Sequence, residues 1–543
     1  MSDEMGAHRD RTWLAHVLVV LVVSVAYESM FLHHGINVVD EGWPLYAAMQ
    51  LHAGGTLYQD VFFVFPPGHL LVAWLAYGID PPGVVLARAL YASFSVALCV
   101  GLYLFGRRLM PPAFALFGAL LLAVGAQSAH MQQLVFGYRY LVISLLALFA
   151  FARWLRDRDP RWIFAAGLLT GLSLVFRLTP AFSVGCAIGV GVMAAGGPWR
   201  SWIRPWALYG AGILLVAGPV IGWLLVSVGP EKLWLEAVVR PVAMTDQQSL
   251  PMPPLAWAPP NAARKPVHDW FVGIQFRAWT LLYVAYAIGL GAAWLRAWRS
   301  RKPFEHVLLL AFVTWGGVYF MRSFGRSDSA HLYSAIPPVC MLLGHAAWLA
   351  ARRLDLRGWR LGLASTAILA GWVYLLGSDR VLDPAYRGES PLAVLDGRVS
   401  LRKTSTLRAI DKTVETIQLR TRPGDRILDL SASSLFHVLS GRRGPGHADI
   451  IMPGTFLNDA EELAFLDRLK TSPPALVIWP GKHFDDDPER APDRSAPRVT
   501  AWVRQNYRRQ GPNARFTLMF PRPAGPATGS PPRSGRRPGP PTG

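Results

Sequence analysis

Eleven apolar stretches decide what this chain can fold into, because each covers much or all of a hydrocarbon layer roughly 30 Å thick. They occupy residues 13–30, 84–105, 114–127, 140–155, 162–176, 181–196, 206–228, 278–298, 304–321, 331–350 and 361–376. Inside lipid every backbone N–H and C=O needs an internal partner, so these stretches are expected as helices. The expected architecture is an α-helical polytopic membrane protein of about eleven transmembrane helices over residues 1–378, with a small soluble α/β domain over 379–520 and a disordered tail over 521–543.

Composition agrees: 52% of residues are hydrophobic and 16% charged, against about 25% charged in an ordinary soluble domain. The formal charge of +19 would suggest nucleic acid in a soluble protein. Its placement argues otherwise. With the N-terminus in the cytoplasm, Arg107 and Arg108, Arg153 to Arg161, Arg200 and Arg204, Arg296 to Lys302, and Arg352 to Arg360 all fall on the inner side, whereas residues 27–83 contain no Lys or Arg. This positive-inside pattern puts the C-terminal segment outside and makes membrane lipid, not nucleic acid, the partner of the basic charge.

The first stretch carries Glu28 near its end and no small-x-small cleavage pattern, so it reads as a retained helix rather than a signal peptide. Cys99, Cys186 and Cys340 all lie in apolar stretches and read as free thiols.

Beyond residue 378 short β-like runs alternate with helical patterns. Leu407, Ile410, Val414 and Ile417 keep helical spacing, and Arg422-Pro423-Gly424-Asp425 turns into a strand over 426–430. Asn458 is placed to cap a helix holding Leu463, Leu466 and Leu469, ahead of a buried strand over 475–479. A helix over 498–507 and a strand over 516–520 complete a small α/β layer. Asp485, Asp486 and Asp487 read as an exposed loop, and Pro and Gly dominate the tail.

Candidate chemistry concentrates in the outer loop 31–83. Asp40-Glu41 stands just past the first span, and nothing in its own loop neutralises it. One reading is capping: Asp40 precedes Gly42-Trp43-Pro44 and would cap a short amphipathic helix over 43–52 lying on the bilayer. The other is a general base at the water–lipid boundary, taking a proton from an attacking hydroxyl.

Cations stand in other outer segments. Arg322, Arg326 and His331 share one loop and suit a phosphate, since guanidinium groups bind its oxygens bidentately; pairing of Arg326 with Asp328 is the alternative. Arg139 and Arg177 also fall on the outer side, as further phosphate candidates or interfacial anchors, and Arg88 is expected to pair with Asp80 or Glu28. The segment 229–275, with five prolines between 251 and 260, is too long for a plain connector and is expected either as a mobile cover over the site or as a disordered stretch.

Asp40-Glu41, the downstream Gly55-x-x-Tyr58-x-Asp60 and Pro66-Pro67-Gly68, Arg326-x-Asp328-x-x-His331 and the C-terminal domain together resemble the C-type membrane glycosyltransferases, which include protein O-mannosyltransferases and the lipid A aminoarabinose transferase. The resemblance spans nearly the whole chain. It implies an inverting hexosyl- or pentosyltransferase that moves a sugar from a polyprenyl-phosphate donor to a lipid, glycan or protein acceptor at the periplasmic face of a bacterial inner membrane. It carries the base role onto Asp40, with Glu41 as support and Asp60 as a further acidic residue. Arg322, Arg326, His331, Arg139 and Arg177 are then candidates to stabilise the departing phosphate.

Some relatives bind a divalent cation, for which His33, His34 and His52 are the nearby donors, although no ligand spacing here specifies a metal site. Two other classes fit the composition, a transporter of a lipid-linked or anionic solute and a non-catalytic envelope scaffold. The absence of a repeat and the clustering of charge at one boundary favour chemistry over transport.

Overall fold

The computed structural model describes residues 12–125, 137–197, 199–253, 264–372, 389–402, 405–481, 484–510 and 516–523. The ends of the stretches 114–127 and 361–376, the middle of 229–275 and the tail from 524 onward lie outside them.

The membrane part is built from α1 (Thr12–Ser29), α2 (Gly42–His52), α3 (Leu71–Ile79), α4 (Val84–Gly106), α5 (Pro112–Gly125), α6 (Leu141–Asp157), α7 (Pro160–Phe176), α8 (Leu178–Ala194) and α9 (Arg200–Val228). After them come α10 (Pro230–Trp234), a π-helical turn Leu235–Val239, α11 (Arg240–Gln247), α12 (Arg264–Arg299), α13 (Val307–Met321), α14 (Ser329–Ser334), α15 (Ile336–Arg353) and α16 (Gly358–Trp372).

Every one of the eleven apolar stretches falls on a helix, and the stretch 331–350 is divided between α14 and α15. Among the described residues, length and hydropathy together qualify six segments to cross a membrane: Thr12–Ser29, Val84–Gly106, Tyr138–Asp157, Arg200–Val228, Trp270–Arg299 and Val307–Phe324. The apolar helices α5, α7 and α8 are shorter, at 14, 17 and 17 residues. Lipid offers no hydrophobic gain for pairing apolar helices, so contact depends on close backbone approach through small residues. Gly167 of α7 and Gly212 of α9 show it, because a Cβ on Gly167 would stand 2.2 Å from the Tyr209 carbonyl oxygen and one on Gly212 2.5 Å from that of Phe164.

The segment 229–275, expected as a mobile cover, is helical over Pro230–Gln247. Its α11 is tied to the C-terminal part by Arg240, whose guanidinium reaches Glu461 at 3.0 Å and the Thr455 carbonyl.

C-terminally, β1 (Glu389–Pro391) pairs antiparallel with β2 (Ser400–Arg402). The chain continues through α17 (Ser405–Arg420), β3 (Ile427–Asp429), α18 (Leu435–Ser440), α19 (Asp459–Thr471), β4 (Leu476–Pro480), α20 (Pro492–Ser495), α21 (Pro497–Asn506), β5 (Tyr507–Arg509) and β6 (Phe516–Pro521). The four-stranded sheet has the order β3-β4-β6-β5, with β3 parallel to β4 and the other pairs antiparallel. Asn458 caps α19 as expected, its Oδ1 accepting from the Glu461 N–H at 3.1 Å.

Strand period sorts the sheet's two faces. Leu428, Val477, Trp479 and Met519 pack with Phe465 and Leu469 of α19 and Val499 and Val503 of α21. Ile427, Leu476, Ile478 and Leu518 face the other way, into a core shared with α17, α18, α2 and the membrane helices. The α/β layer therefore has no separate core on this side. Helix α2 is caught in that shared core: Gly42 to Gln50 are all buried, and a Cβ on Gly42 would meet the Leu435 nitrogen at 2.2 Å. This corrects the expectation of an amphipathic helix lying on the bilayer. Both faces of α2 are covered by protein, which is why its polar and apolar residues show no sided pattern.

Candidate active site

Loop 31–41 is pinned before it reaches Asp40. Gly35 N–H donates to the Ser400 carbonyl at 2.9 Å, Ser400 N–H to that of His33 at 2.8 Å, and Leu435 N–H to that of Val38 at 3.1 Å. His34 Nδ1 lies 2.6 Å from Glu389, and Arg398 reaches Asp80 at 2.5 Å.

Asn37 then organises a helical turn. Its Oδ1 accepts from the N–H groups of Val39 and Asp40 at 3.1 and 2.9 Å, and its Nδ2 donates to Asp40 Oδ2 at 2.8 Å. Its own N–H donates to Glu41 Oε2 at 2.9 Å. The two neighbouring carboxylates part here. Glu41 is fully buried against Arg88, with Nε to Oε1 at 2.6 Å and Nη2 to Oε2 at 2.7 Å. Arg88 also donates to the carbonyls of Leu32 and Gly35. Its expected partners were Asp80 and Glu28, but Asp80 is held by Arg398 and the partner is Glu41. Asp40 does not cap α2, whose N-cap position is Glu41, without a side-chain bond.

Asp40 is half-buried, and burial pushes its carboxyl up to about 6 against the hydrogen bond from Asn37 and the charge of Arg326; Asp328 and Glu41 add to the rise. The 322–331 loop thus faces the Asp40 loop. Asp328 Oδ1 caps α14 through the His331 N–H at 2.8 Å and meets His331 Nδ1 at 2.8 Å, while Oδ2 accepts from Arg326 Nε at 2.9 Å. Burial would raise the Asp328 carboxyl, but His331 and Arg326 hold it well below the usual range. Arg326 spends its remaining donors on the Gln248 carbonyl at 2.9 Å and on Asp485 Oδ1 at 2.5 Å. Asp485 is bonded to Arg490 as well, so the acidic run expected as a plain exposed loop sends one member into the site.

A second cationic group lies at the junction of α7 and α8. Arg177 is buried there with its guanidinium 4.2 Å over the Phe65 ring, where it feels the positive charge of Arg322. Arg322 Nη1 donates to the Tyr319 hydroxyl at 2.8 Å. Two neighbouring cations on aromatic walls are suited to an anion. Arg139 is buried in another setting, its Nε on Ser95 Oγ at 3.0 Å and the charge of Glu28 acting on it. Glu28 and Ser29 also line one end of an apolar groove of about 850 Å³ among α1, α4 and α6, walled by Val25, Val96, Leu104 and Phe149.

Asp60 is exposed, and its Oδ2 accepts from the Thr56 N–H of its own turn at 2.9 Å. The histidines considered for a cation are bonded apart from one another: His33 to the Arg398 carbonyl, His34 to Glu389 and His52 to the Trp74 carbonyl. Among the described residues no group of three or more His, Cys, Asp or Glu could hold a metal ion.

The roles of three contributors escaped sequence reasoning: the partner of Arg88, the turn of Asn37 and the reach of Asp485. Arg88 had a signal, as a charge inside an apolar stretch, and Asn37-x-x-Asp40 has the spacing of a cap. Asp485 had none, since nothing local ties residue 485 to residue 326.

No family model matches the sequence, and neither does any curated protein. Among solved structures, ArnT from Cupriavidus metallidurans bound to undecaprenyl phosphate superposes with a TM-score of 0.55 at 16% identity, over 95% of this chain and 99% of that one. The apo crystal structure of the same ArnT gives 0.53 at 15% identity, over 95% and 98%. Over 95% of its length the chain shares its fold with these two structures.

Proposed function

We propose that this chain is an integral membrane glycosyltransferase that moves a sugar from a polyprenyl-phosphate donor to an acceptor hydroxyl, with inversion and with Asp40 as general base. The observation that carries the reading is the placement of Asp40. It is a carboxylate with a proton affinity near 6, held beside Arg326 and Asp328, in a fold shared with a protein crystallised with undecaprenyl phosphate.

In the proposed reaction the acceptor hydroxyl loses its proton to Asp40 as its oxygen forms a bond to the anomeric carbon. The bond from that carbon to the phosphate oxygen breaks, and its electron pair leaves on the phosphate. A base close to the working pH is efficient in this role, and phosphate leaves without a general acid when cations meet it. Arg177 and Arg322 are the direct candidates for that task. Arg326 and His331 act through Asp328, whose charge they hold beside Asp40, and Arg139 lies further off beside Glu28. Glu41, neutralised by Arg88, fixes the loop. Asp60 contributes through its turn.

The groove among α1, α4 and α6 offers a berth for the donor's hydrocarbon chain. The positive-inside pattern supports an N-terminus in the cytoplasm with Asp40 and the α/β layer on the opposite side, and the shared fold with ArnT from Cupriavidus metallidurans supports a bacterial inner membrane, with that side as the periplasm. The acceptor class, whether lipid, glycan or protein, is left to experiment.

The test is turnover of a panel of radiolabelled undecaprenyl-phosphate sugars by purified protein, with native membrane extract as acceptor. Wild type is expected to release the label from lipid and Asp40→Asn to lose at least 100-fold, at the lower end of the usual general-base contribution of about 100-fold to 10,000-fold. Equal turnover by both removes Asp40 as the base.

A further inference from the structure

We infer that Asn37 is the positioning residue of the reaction: its side-chain amide aims the Asp40 carboxylate and keeps it ready to accept a proton. The inference rests on the assignment of Asp40 as base and adds a residue to it.

Asn37 uses the two ends of its amide on two different tasks. The oxygen accepts from two backbone N–H groups, Val39 at 3.1 Å and Asp40 at 2.9 Å, and so closes the turn. The nitrogen donates to Asp40 Oδ2 at 2.8 Å. Two N–H donors on one end fix which end is oxygen, because the reversed amide would set N–H against N–H. The Asp40 side chain is thereby tied at Oδ2 to a group held by the same turn, leaving Oδ1 as the oxygen to meet an incoming hydroxyl.

An aspartate at position 37 would keep the turn-closing oxygen and lose the donor, replacing it with a second acceptor. A turn former alone tolerates that exchange. A residue whose task is to hold the Asp40 carboxylate does not.

The charges that act on Asp40 are Arg326 and Asp328 from the facing loop and Glu41 from its own. His331 bonds Asp328, and Arg88 bonds Glu41. None of these is altered by substitution at Asn37, but Asn37→Asp adds a carboxylate whose own charge raises Asp40, so the uncharged Asn37→Ala is the variant in which a change in the titration of Asp40 reports the lost amide. Burial already raises the Asp40 carboxyl, and the Asn37 bond is the leading opposing influence. Losing a hydrogen bond to a charged group moves a proton affinity by about one pH unit or more.

The experiment compares kcat/KM for the turning-over undecaprenyl-phosphate sugar between pH 4.5 and 8.5 in wild type, Asn37→Asp, Asn37→Ala and Asp40→Asn. The expected result is an acid limb moved upward by about one pH unit in Asn37→Ala, from the lost hydrogen bond alone, and further in Asn37→Asp, where a like charge is added, with thermal unfolding of each variant as the control for the turn. An unmoved limb in a folded Asn37→Ala, alongside an inactive Asp40→Asn, overturns the positioning role and leaves the base assignment standing. Full activity in Asp40→Asn overturns the base assignment itself. Should no sugar in the panel turn over, infrared difference spectra against Asp40→Asn read the Asp40 carboxyl titration directly, and an identical midpoint in wild type and Asn37→Ala overturns the inference.

Discussion

Arg88 and Glu41 form a two-point ion pair sealed from solvent, with Nε on Oε1 at 2.6 Å and Nη2 on Oε2 at 2.7 Å. The pair joins α4 to the start of α2, while Nη1 donates to the Leu32 carbonyl and Nη2 also donates to that of Gly35. One guanidinium thus fixes the course of the chain from residue 32 to residue 41, on which the position of Asp40 depends.

Removing one member of this pair leaves the other as an uncompensated buried charge, at a cost of about 3–5 kcal/mol. Arg88→Met is therefore expected to lower the thermal unfolding temperature in detergent far more than Asp40→Asn, and the double variant Arg88→Met/Glu41→Leu to recover part of the loss. A single variant as stable as wild type would show that the pair does not hold the loop.

Much of the fold was legible because lipid imposes a simple rule, and each of the eleven stretches is helical. The α/β layer was legible too, since Leu407 to Ile417 and the strand around Val477 carry clear periods. What stayed hidden depended on contacts distant in sequence. The burial of α2 follows from a core that includes Leu435 and Ile450. The pairing of Arg88 with residue 41 and of Arg326 with residue 485 spans 47 and 159 positions. The prolines after residue 250 drew attention away from Pro230–Gln247, where Pro230 begins α10 and Pro241 stands in the first turn of α11, positions at which proline is compatible with a helix.

With its carboxyl pushed up to about 6 by burial, Asp40 is the ionised base above that pH and is protonated below it. The proposed transfer is expected to lose activity on the acid side with a midpoint near pH 6 in kcat/KM, about two units above an exposed aspartate. A rate that stays flat down to pH 4.5 would mean that no group with this proton affinity takes the proton.

Arg177 and Arg322 stand close enough to repel each other, a cost that an anion between them would offset. Arg177→Gln and Arg322→Gln are each expected to reduce kcat/KM for the donor by roughly 10-fold to 100-fold, the worth of one charge-assisted hydrogen bond. Arg139→Gln is expected to affect folding yield more than donor kinetics, because its charge is met by Glu28. Steady-state kinetics against donor concentration, with thermal unfolding as control, separates the cases; unchanged donor kinetics in both Arg177→Gln and Arg322→Gln would place the phosphate elsewhere.

Tyr46 of α2 donates its hydroxyl to Asp449 Oδ2 at 2.5 Å, accepts from the Gly444 N–H at 2.8 Å and stacks on His437, joining the loop helix to the α/β layer. Burial pushes the Asp449 carboxyl up to about 7. The folded chain therefore keeps a proton that the unfolded chain releases near pH 4, and the stability this group contributes at low pH is lost as pH rises from about 4 to about 7. Asp429, raised to about 6 by its own burial, acts in the same direction over a narrower window. Glu236 is different: burial raises it, but His447 and Arg240 bring it down to about 2, so its share is lost only in strong acid. Asp40, also raised to about 6, adds to it, so between pH 6 and 8 Asp449 has the largest share of the slope among the three raised carboxyls. Asp449→Asn keeps an acceptor for Tyr46 and removes the titration, so its unfolding temperature should change less between pH 6 and 8 than that of wild type. Equal changes in the two proteins would show that Asp449 is ionised in the folded state across the whole range.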